Sequence, residues 1–215
     1  TSNAGIFRSV IGAIETSIYD LKSRTDKVPL YKIFSEEANI PNLYASGGSV
    51  ITNIHELDDD LKYAEDQGFN AFKMRIGKKA WEEDLKRVSY VKNNFTGNDI
   101  MVDSIYGTRQ MNDTYSEQLK MYKNLEEYEL TWLEEPLPVE KISLHSNLRN
   151  SLSIPLAAGE AYSSLTEFEA LINVSGVDII QFDVTQSGGY CSCNEIYNMS
   201  IDKNKKTAFH VWGSL

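Results

Sequence analysis

The feature that most constrains the fold is a series of seven short apolar runs at nearly constant spacing. Each run is rich in residues that favour strands, and amphipathic stretches of helical periodicity lie between the runs. The polar residues that mark successive runs are 23 to 31 positions apart. This rhythm predicts parallel strands joined by crossover helices. The runs occupy residues 43–45, 71–76, 100–103, 131–134, 156–160, 177–183 and 207–212.

Steady spacing over seven strands favours a barrel of alternating strands and helices over the alternative, a doubly wound sheet. A helix is predicted before the first strand, over residues 5–24, because apolar residues recur there at helical intervals and indicate a broad buried face. Those residues are Ile6, Phe7, Val10, Ile11, Ile14, Ile18 and Leu21.

The composition excludes two classes of partner. The formal net charge is -10, with 31 acidic against 21 basic residues, which argues against a nucleic-acid partner. No apolar run reaches the ~20 residues of a membrane span, so we expect no membrane partner. Cys191 and Cys193 are too close together to form a disulfide framework. We expect both to be reduced residues of a cytoplasmic protein.

Polar residues collect at the carboxyl ends of the predicted strands, which face one mouth of a barrel. Asp103, Glu134 and Glu160 end three successive predicted strands, so their carboxylates should converge there. Three adjacent carboxylates repel one another unless a cation neutralises them. Hard oxygen ligands suit Mg²⁺, and the sequence therefore predicts a magnesium site.

Three motifs around these carboxylates resemble the metal-ligand motifs of the mandelate racemase and muconate-lactonizing branch of the enolase superfamily. They are Val102-Asp103, Trp132-Leu133-Glu134-Glu135-Pro136 and Ala158-Gly159-Glu160. The resemblance implies that Glu134 rather than Glu135 is the ligand. Residues 44–48 resemble the first barrel strand of that family, and residues 13–22 resemble the helix that leads from its capping domain.

The resemblance implies a (β/α)7β TIM-type barrel of which this sequence covers about seven strands. Residues 1–40 would be the end of an α+β capping domain, and residues 41–215 the barrel strands one to seven. Because the family has an eighth strand and a larger capping domain, we expect further residues beyond this sequence. The resemblance also leads us to expect a homo-oligomer.

Four further residues match the acid–base positions of that family. Lys73 and Arg75 alternate along one strand, so both side chains lie on the same face. They match a Lys-x-Lys motif, with arginine in the second place. Asp183 and His210 resemble the Asp–His pair of the sixth and seventh strands, in which aspartate holds histidine in one tautomer.

The implied chemistry is removal of a proton next to a carboxylate, with Mg²⁺ stabilising the enediolate that forms. Arg75 stays protonated in almost any site and is therefore a carboxylate clamp rather than a base. We expect His210 to be the sole base and Lys73 to assist electrostatically. A single base favours a dehydratase (a lyase), and the resemblance implies an aldonic or aldaric acid as its substrate.

Two alternatives remain open at this point. The first is a racemase, epimerase or cycloisomerase that uses Lys73 as a second base. The second is a catalytically inactive relative that binds a carboxylate ligand. One departure from the family pattern concerns substrate contacts: Ile105 stands where many relatives have asparagine, and Ile105 cannot donate the same hydrogen bond. Tyr106 either substitutes for it or packs.

Overall fold

The computed structural model describes residues 3–77, 80–105, 113–174 and 176–211. The strands in this part of the chain are β1 (Ala45–Ser46), β2 (Ala71–Arg75), β3 (Asp99–Asp103), β4 (Trp132–Glu134), β5 (Leu156–Ala158), β6 (Ile179–Phe182) and β7 (Lys206–Phe209). The α-helices are α1 (Asn3–Asp26), α2 (Ile54–Asp66), α3 (Trp81–Asn94), α4 (Tyr115–Lys123), α5 (Leu144–Ser151), α6 (Leu165–Asn173) and α7 (Tyr190–Asp202). Short 3₁₀ helices occupy Leu30–Ile33, Glu126–Tyr128 and Val139–Lys141.

The strands are hydrogen-bonded in chain order, from β1 to β7. Pairing is parallel from β1 to β5, and the register aligns Arg75 with Asp103 and Asp103 with Glu134. A doubly wound sheet reverses its strand order at a switch point, whereas a barrel keeps chain order throughout. The predicted barrel-type alternation of strands and helices is therefore confirmed.

The predicted strands differ from the observed ones by a few residues at their ends. Strand β5 ends at Ala158, so that Glu160 follows the strand by two residues instead of ending it, and Asp183 and His210 directly follow β6 and β7. Gly159 ends the extended run because it has a φ of 140°, a conformation that glycine adopts readily. Trp212, in the last predicted strand, lies outside the described residues.

The chain divides into two compact units. The central unit comprises the described residues among 43–158 and 174–179, and the terminal unit comprises those among 1–42, 159–173 and 180–215. In the central unit, β2 to β5 and the helices α2 and α3 bury an apolar core, whose members include Leu57, Leu61, Phe72, Met74, Val88, Val102, Leu133 and Leu156. Helix α2 begins with a capping box, in which Asn53 and Glu56 satisfy each other's backbone amides.

The prediction that the apolar face of α1 is buried is wrong. The seven apolar residues that define this face, from Ile6 to Leu21, are between 50% and 71% exposed. Helix α1 instead packs through a face that contains Gly12, against the loop between β6 and α7. A Cβ at Gly12 would lie 2.9 Å from the Val184 carbonyl oxygen and 3.3 Å from that of Thr185. This close approach requires a residue without a side chain, and it turns the apolar stripe outward.

None of the helices in the described residues is both long enough and apolar enough to cross a lipid bilayer.

His145, on α5 of the central unit, is a fully buried titratable side chain. Its Nδ1 lies 3.3 Å from the carbonyl oxygen of Ile142. Burial lowers the pKa of His145, and hydrogen bonds with backbone groups offset only part of that effect. His145 is therefore neutral in the folded protein at pH 7.

We predict that His145 makes the fold sensitive to mild acid. Because the pKa of His145 is lower in the folded state, the unfolded state takes up the proton first as the pH falls. The contribution of neutral His145 to the free energy of unfolding is complete above the ordinary histidine pKa of about 6.5 and declines below that pH. Denaturant unfolding at pH 7.5 and 5.5 should show a smaller loss of unfolding free energy in His145→Gln than in the parent.

The matched control is His55→Gln, since the side chain of His55 is exposed. That variant should keep the pH response of the parent protein. An unchanged response in His145→Gln would contradict the prediction.

Candidate active site

The central unit carries four of the predicted site residues at the carboxyl ends of neighbouring strands. Lys73 and Arg75 lie on β2, Asp103 ends β3 and Glu134 ends β4. Lys73, Asp103 and Glu134 are at most 3% exposed, whereas the Arg75 side chain is 38% exposed. Charged groups this deeply buried are costly unless each one has a partner.

Glu134 has a partner for each of its carboxylate oxygens. Lys73 Nζ donates a hydrogen bond to Oε1, and Trp132 Nε1 donates one to Oε2 at 2.9 Å. Trp132 and Glu134 are two positions apart on β4, so their side chains lie on the same face. Burial by itself would lower the pKa of Lys73, but the negative charges around it, above all the Glu134 carboxylate, raise the pKa overall. Lys73 is therefore a cation in this arrangement.

Asp103 is held by one cation and one backbone amide. Arg75 Nε lies 3.5 Å from its Oδ2, and the Ile105 amide donates to its Oδ1 at 2.7 Å. The side chain of Arg75 thus pairs with Asp103 and still reaches the solvent, as a clamp for a substrate carboxylate would require.

A buried ion pair that the sequence analysis missed supports the end of β2. Arg87 and Asp84 on α3 are each 1% exposed, and their charged groups lie 2.8 Å apart. Arg87 also donates to the carbonyl oxygens of Gly48, Ser49 and Arg75, at 3.1, 2.6 and 3.0 Å. The spacing of the two residues on α3 was visible in the sequence, but their carbonyl partners depend on tertiary structure.

Ser104 is a second missed residue, and it joins the end of β3 to the Glu134-Glu135 motif. Its side chain is fully buried, and its Oγ lies 3.0 Å from the Glu134 carbonyl oxygen and 2.8 Å from that of Glu135. A serine is small enough to fit between two strand ends and still supply a hydroxyl donor. Ser104 therefore fixes the backbone beside the glutamate that faces Lys73.

The terminal unit carries the other three predicted residues. His210 Nδ1 lies 2.8 Å from Asp183 Oδ2, and His210 Nε2 lies 3.3 Å from Glu160 Oε2. The other oxygen of Asp183 accepts hydrogen bonds from the backbone amide and the hydroxyl of Thr185, at 2.6 and 2.5 Å. The predicted Asp183–His210 pairing is present, and Thr185 is a partner that the sequence analysis missed.

The electrostatics of Asp183 fix the tautomer of His210. Burial alone would raise the pKa of Asp183, but hydrogen bonds from His210 and Thr185 outweigh burial and lower it. An ionised carboxylate can only accept hydrogen bonds, so the proton between the two residues is carried by His210 Nδ1. When the imidazole is neutral, its lone pair is therefore on Nε2, the nitrogen beside Glu160.

The structure describes all three predicted metal ligands, Asp103, Glu134 and Glu160. All three offer carboxylate oxygens, which are the hard ligands that Mg²⁺ prefers. Asp103 and Glu134 are register partners in the central unit, and Glu160 follows β5 by two residues. The donor set therefore fits the predicted cofactor.

Parallel strands in barrel order, with acidic and basic side chains at their carboxyl ends, give this chain the architecture of the TIM-barrel enzymes. The chain belongs to the Enolase C-terminal domain-like family, whose model matches residues 56–215.

The relatives of the chain include sugar-acid enzymes. It is 28% identical over 202 residues to arabinonate dehydratase of Saccharolobus solfataricus, an alignment that covers 91% of this chain and 52% of the relative. The 3,6-anhydro-D-galactonate cycloisomerase of Zobellia galactanivorans superposes with a TM-score of 0.87 at 25% identity, covering all of this chain and 59% of the cycloisomerase. The chain spans about half the length of the curated relatives it matches.

A further solved relative contains the predicted cofactor. The L-talarate dehydratase of Polaromonas sp. JS666, solved with magnesium and L-glucarate, superposes with a TM-score of 0.85 at 24% identity. The superposition covers 95% of this chain and 57% of that one. The predicted resemblance to the mandelate racemase and muconate-lactonizing branch is confirmed by the family model, and magnesium is the metal in this solved relative.

The backbone of Ile105, two residues after Asp103, is strained. Its φ is 53°, in the left-handed region, which costs a β-branched residue more than it costs asparagine. Tyr106, which was expected either to replace asparagine in substrate contacts or to pack, lies outside the described residues.

We predict that Ile105→Asn stabilises the protein, by about 1 kcal/mol, because asparagine tolerates the left-handed conformation. The midpoint of chemical denaturation would measure the change. Ile105→Val is the control, since valine keeps the β-branch and should give no gain. Equal stability of the two variants would show that backbone strain at this position is not released by the substitution.

Proposed function

We propose that this chain is the catalytic part of a Mg²⁺-dependent dehydratase of acid sugars. The observation that carries the proposal is the pairing of His210 Nδ1 with Asp183 at 2.8 Å, because a neutral imidazole that donates from Nδ1 has Nε2 as its basic atom. A histidine in this state can take a proton from carbon and later donate it to a leaving hydroxyl.

In the first step, His210 Nε2 accepts the proton from the carbon next to the substrate carboxylate. The electron pair of that C–H bond moves toward the carboxylate and gives an enediolate. Asp183 stabilises the imidazolium that results, because it already accepts the Nδ1 proton. Thr185 holds the second oxygen of Asp183 and keeps the carboxylate in place.

In the second step, the same imidazolium gives its proton from Nε2 to the hydroxyl on the β-carbon. The bond between that carbon and oxygen breaks, water leaves, and the electron pair of the enediolate forms the carbon–carbon double bond. The enol product becomes a 2-keto acid by proton transfer. One base therefore serves both steps, and no oxidant or second substrate is needed.

The two cations on β2 have different tasks in this proposal. Arg75 pairs with Asp103 and reaches the solvent, and it binds a substrate carboxylate. Lys73 is buried against Glu134 and contributes positive charge from a fixed position. Neither residue needs to transfer a proton.

Asp103, Glu134 and Glu160 would hold the Mg²⁺ ion. Bound there, the ion supplies positive charge that stabilises the negative charge developing on the substrate carboxylate. Lys73 and Trp132 orient the carboxylate of Glu134, and Arg75 and the Ile105 amide orient that of Asp103. Such partners of metal ligands usually determine how well the ligands are placed.

The substrate class that we propose is an aldonic or aldaric acid. Such acids carry a hydroxyl on the carbon from which water must leave. The relatives support this class, because they include a dehydratase named for arabinonate and one solved with L-glucarate.

A second candidate is an isomerase, and the observation that favours it is the likeness to a sugar-acid cycloisomerase. An isomerase that inverts a carbon centre needs a second base opposite His210, and Lys73 would have to fill that role. The hydrogen bond from Lys73 Nζ to Glu134 occupies the atom that would act. We therefore place the dehydratase first.

The test is a screen of the full-length protein with Mg²⁺ against a library of aldonic and aldaric acids. We predict formation of a 2-keto acid from at least one member, followed together with exchange of the α-proton for solvent deuterium by NMR. In His210→Asn, the rates of keto-acid formation and of α-proton exchange should each fall by more than about 10³-fold, since general base catalysis of the first step is lost.

Exchange or inversion without keto-acid formation would replace the dehydratase by the isomerase. Metal binding without exchange on any member would favour an inactive carboxylate-binding relative. Full activity in His210→Asn would refute the assignment of the base.

We predict that Glu134→Gln weakens Mg²⁺ binding by more than about tenfold, because one charged ligand is lost. Isothermal titration calorimetry would measure the affinity, after circular dichroism has shown that the variant is folded, since the substitution also leaves Lys73 without its anion. The neighbouring variant Glu135→Gln is the control and should bind Mg²⁺ nearly as the parent does. A larger loss in Glu135→Gln would transfer the ligand assignment to that residue.

A further inference from the structure

Helix α7 begins without a side-chain cap of its own. Its N-cap residue is Gly189, with φ 95° and ψ -173°, and glycine has no side chain to accept a hydrogen bond from the first turn. The first backbone amides of a helix need acceptors, and the helix dipole favours a negative charge beside them. Glu15 on α1 supplies an acceptor and a carboxylate at this position, because its Oε2 accepts a hydrogen bond from the backbone amide of Cys191 at 3.2 Å.

Gly189 leaves the space that this carboxylate occupies. A Cβ at that position would overlap the carboxylate of Glu15, and the positive φ of Gly189 also favours glycine. The absence of a side chain at the N-cap and the presence of a carboxylate on α1 are therefore two parts of one arrangement.

Helix α1 also contacts the other end of the same loop. Gly12 lies three residues before Glu15, on the same face of the helix, and approaches the carbonyl oxygens of Val184 and Thr185. The amide of Gly189 donates to the Val184 carbonyl oxygen at 3.0 Å and closes the loop between these two contacts. Helix α1 thus holds both the beginning and the end of residues 184–189.

This loop determines where the carboxylate of Asp183 lies. Thr185 binds one oxygen of Asp183 through its amide and its hydroxyl, and His210 binds the other oxygen. The amide of Ser187 donates to the Asp183 carbonyl oxygen at 2.7 Å. A shift of the loop would therefore move Asp183 relative to His210.

We infer that Glu15 is a positioning residue for the Asp183–His210 pair. It acts through the N-terminus of α7 and the loop at residues 184–189, and it touches neither His210 nor the substrate. The catalytic meaning of this inference rests on the proposed function, whereas the chain of contacts from α1 to His210 does not.

The experiment compares Glu15→Ala and Glu15→Gln in the full-length protein labelled with ¹⁵N-histidine. The Nδ1–H resonance of His210 is assigned by its absence in His210→Gln. We expect this proton to exchange with water at least about tenfold faster in Glu15→Ala than in the parent, whereas Glu15→Gln, which keeps an acceptor oxygen, retains most of the protection. With a substrate from the screen, kcat in Glu15→Ala should fall by about 10- to 100-fold while KM changes less.

The matched control is Asn53→Ala, which removes the cap of α2, a helix of 13 residues like α7. If loss of a helix cap acted only by lowering stability, both variants would change the His210 resonance. Because we infer a local effect of Glu15, we expect Asn53→Ala to leave this resonance unchanged. If Glu15→Ala does not fold, Glu15→Asp, which shortens the reach to Cys191, takes its place.

An unchanged His210 resonance in Glu15→Ala would overturn the inference, and so would an equal change in Asn53→Ala. The NMR measurement does not need turnover. Failure of the proposed function in the screen therefore remains separate from failure of the positioning role.

Discussion

The buried ion pair between Lys73 and Glu134 is the interaction on which the candidate site of the central unit depends. Removing a carboxylate from water costs several kcal/mol, and a single cation recovers this only when the remaining lone pairs are also satisfied. Glu134 meets that condition because Trp132 donates to its second oxygen. Lys73 reaches Glu134 across β3, so the pair also joins three strands at their carboxyl ends. The register that makes this contact also places Asp103 beside Glu134, where Arg75 offsets the added negative charge.

The parts of the fold that were predictable from the sequence are those set by local periodicity. The strands β2 and β3 were predicted to within one residue at each end, because each is an apolar run that ends at a charged residue or just beyond it. Alternation along β2 placed Lys73 and Arg75 on one face without any knowledge of the tertiary structure. The pairing of Asp183 with His210 was expected from the family resemblance of the motifs that contain them, and the two residues directly follow β6 and β7.

The parts that could not be predicted depend on contacts between residues far apart in the chain. Helical periodicity identified α1, but it could not show that Gly12, rather than the apolar stripe, faces the loop before α7. The same limit applies to Arg87, whose partners are backbone carbonyl oxygens that carry no sequence signature. The end of β5 was misjudged because the conformation of Gly159 depends on its surroundings: a Cβ there would overlap the backbone of Gln181.

The choice between dehydratase and isomerase depends on how many groups can accept a proton from carbon. In the proposed mechanism His210 takes this role, because Asp183 accepts the Nδ1 proton and a neutral imidazole then has its lone pair on Nε2. On β2, Arg75 is a permanent cation, and the amine of Lys73 is bound to a fully buried carboxylate. A second base would require Lys73 to leave Glu134, which would then lose the partner of one carboxylate oxygen. The contacts that stabilise the central unit thus favour chemistry with a single base, and elimination of water needs only one.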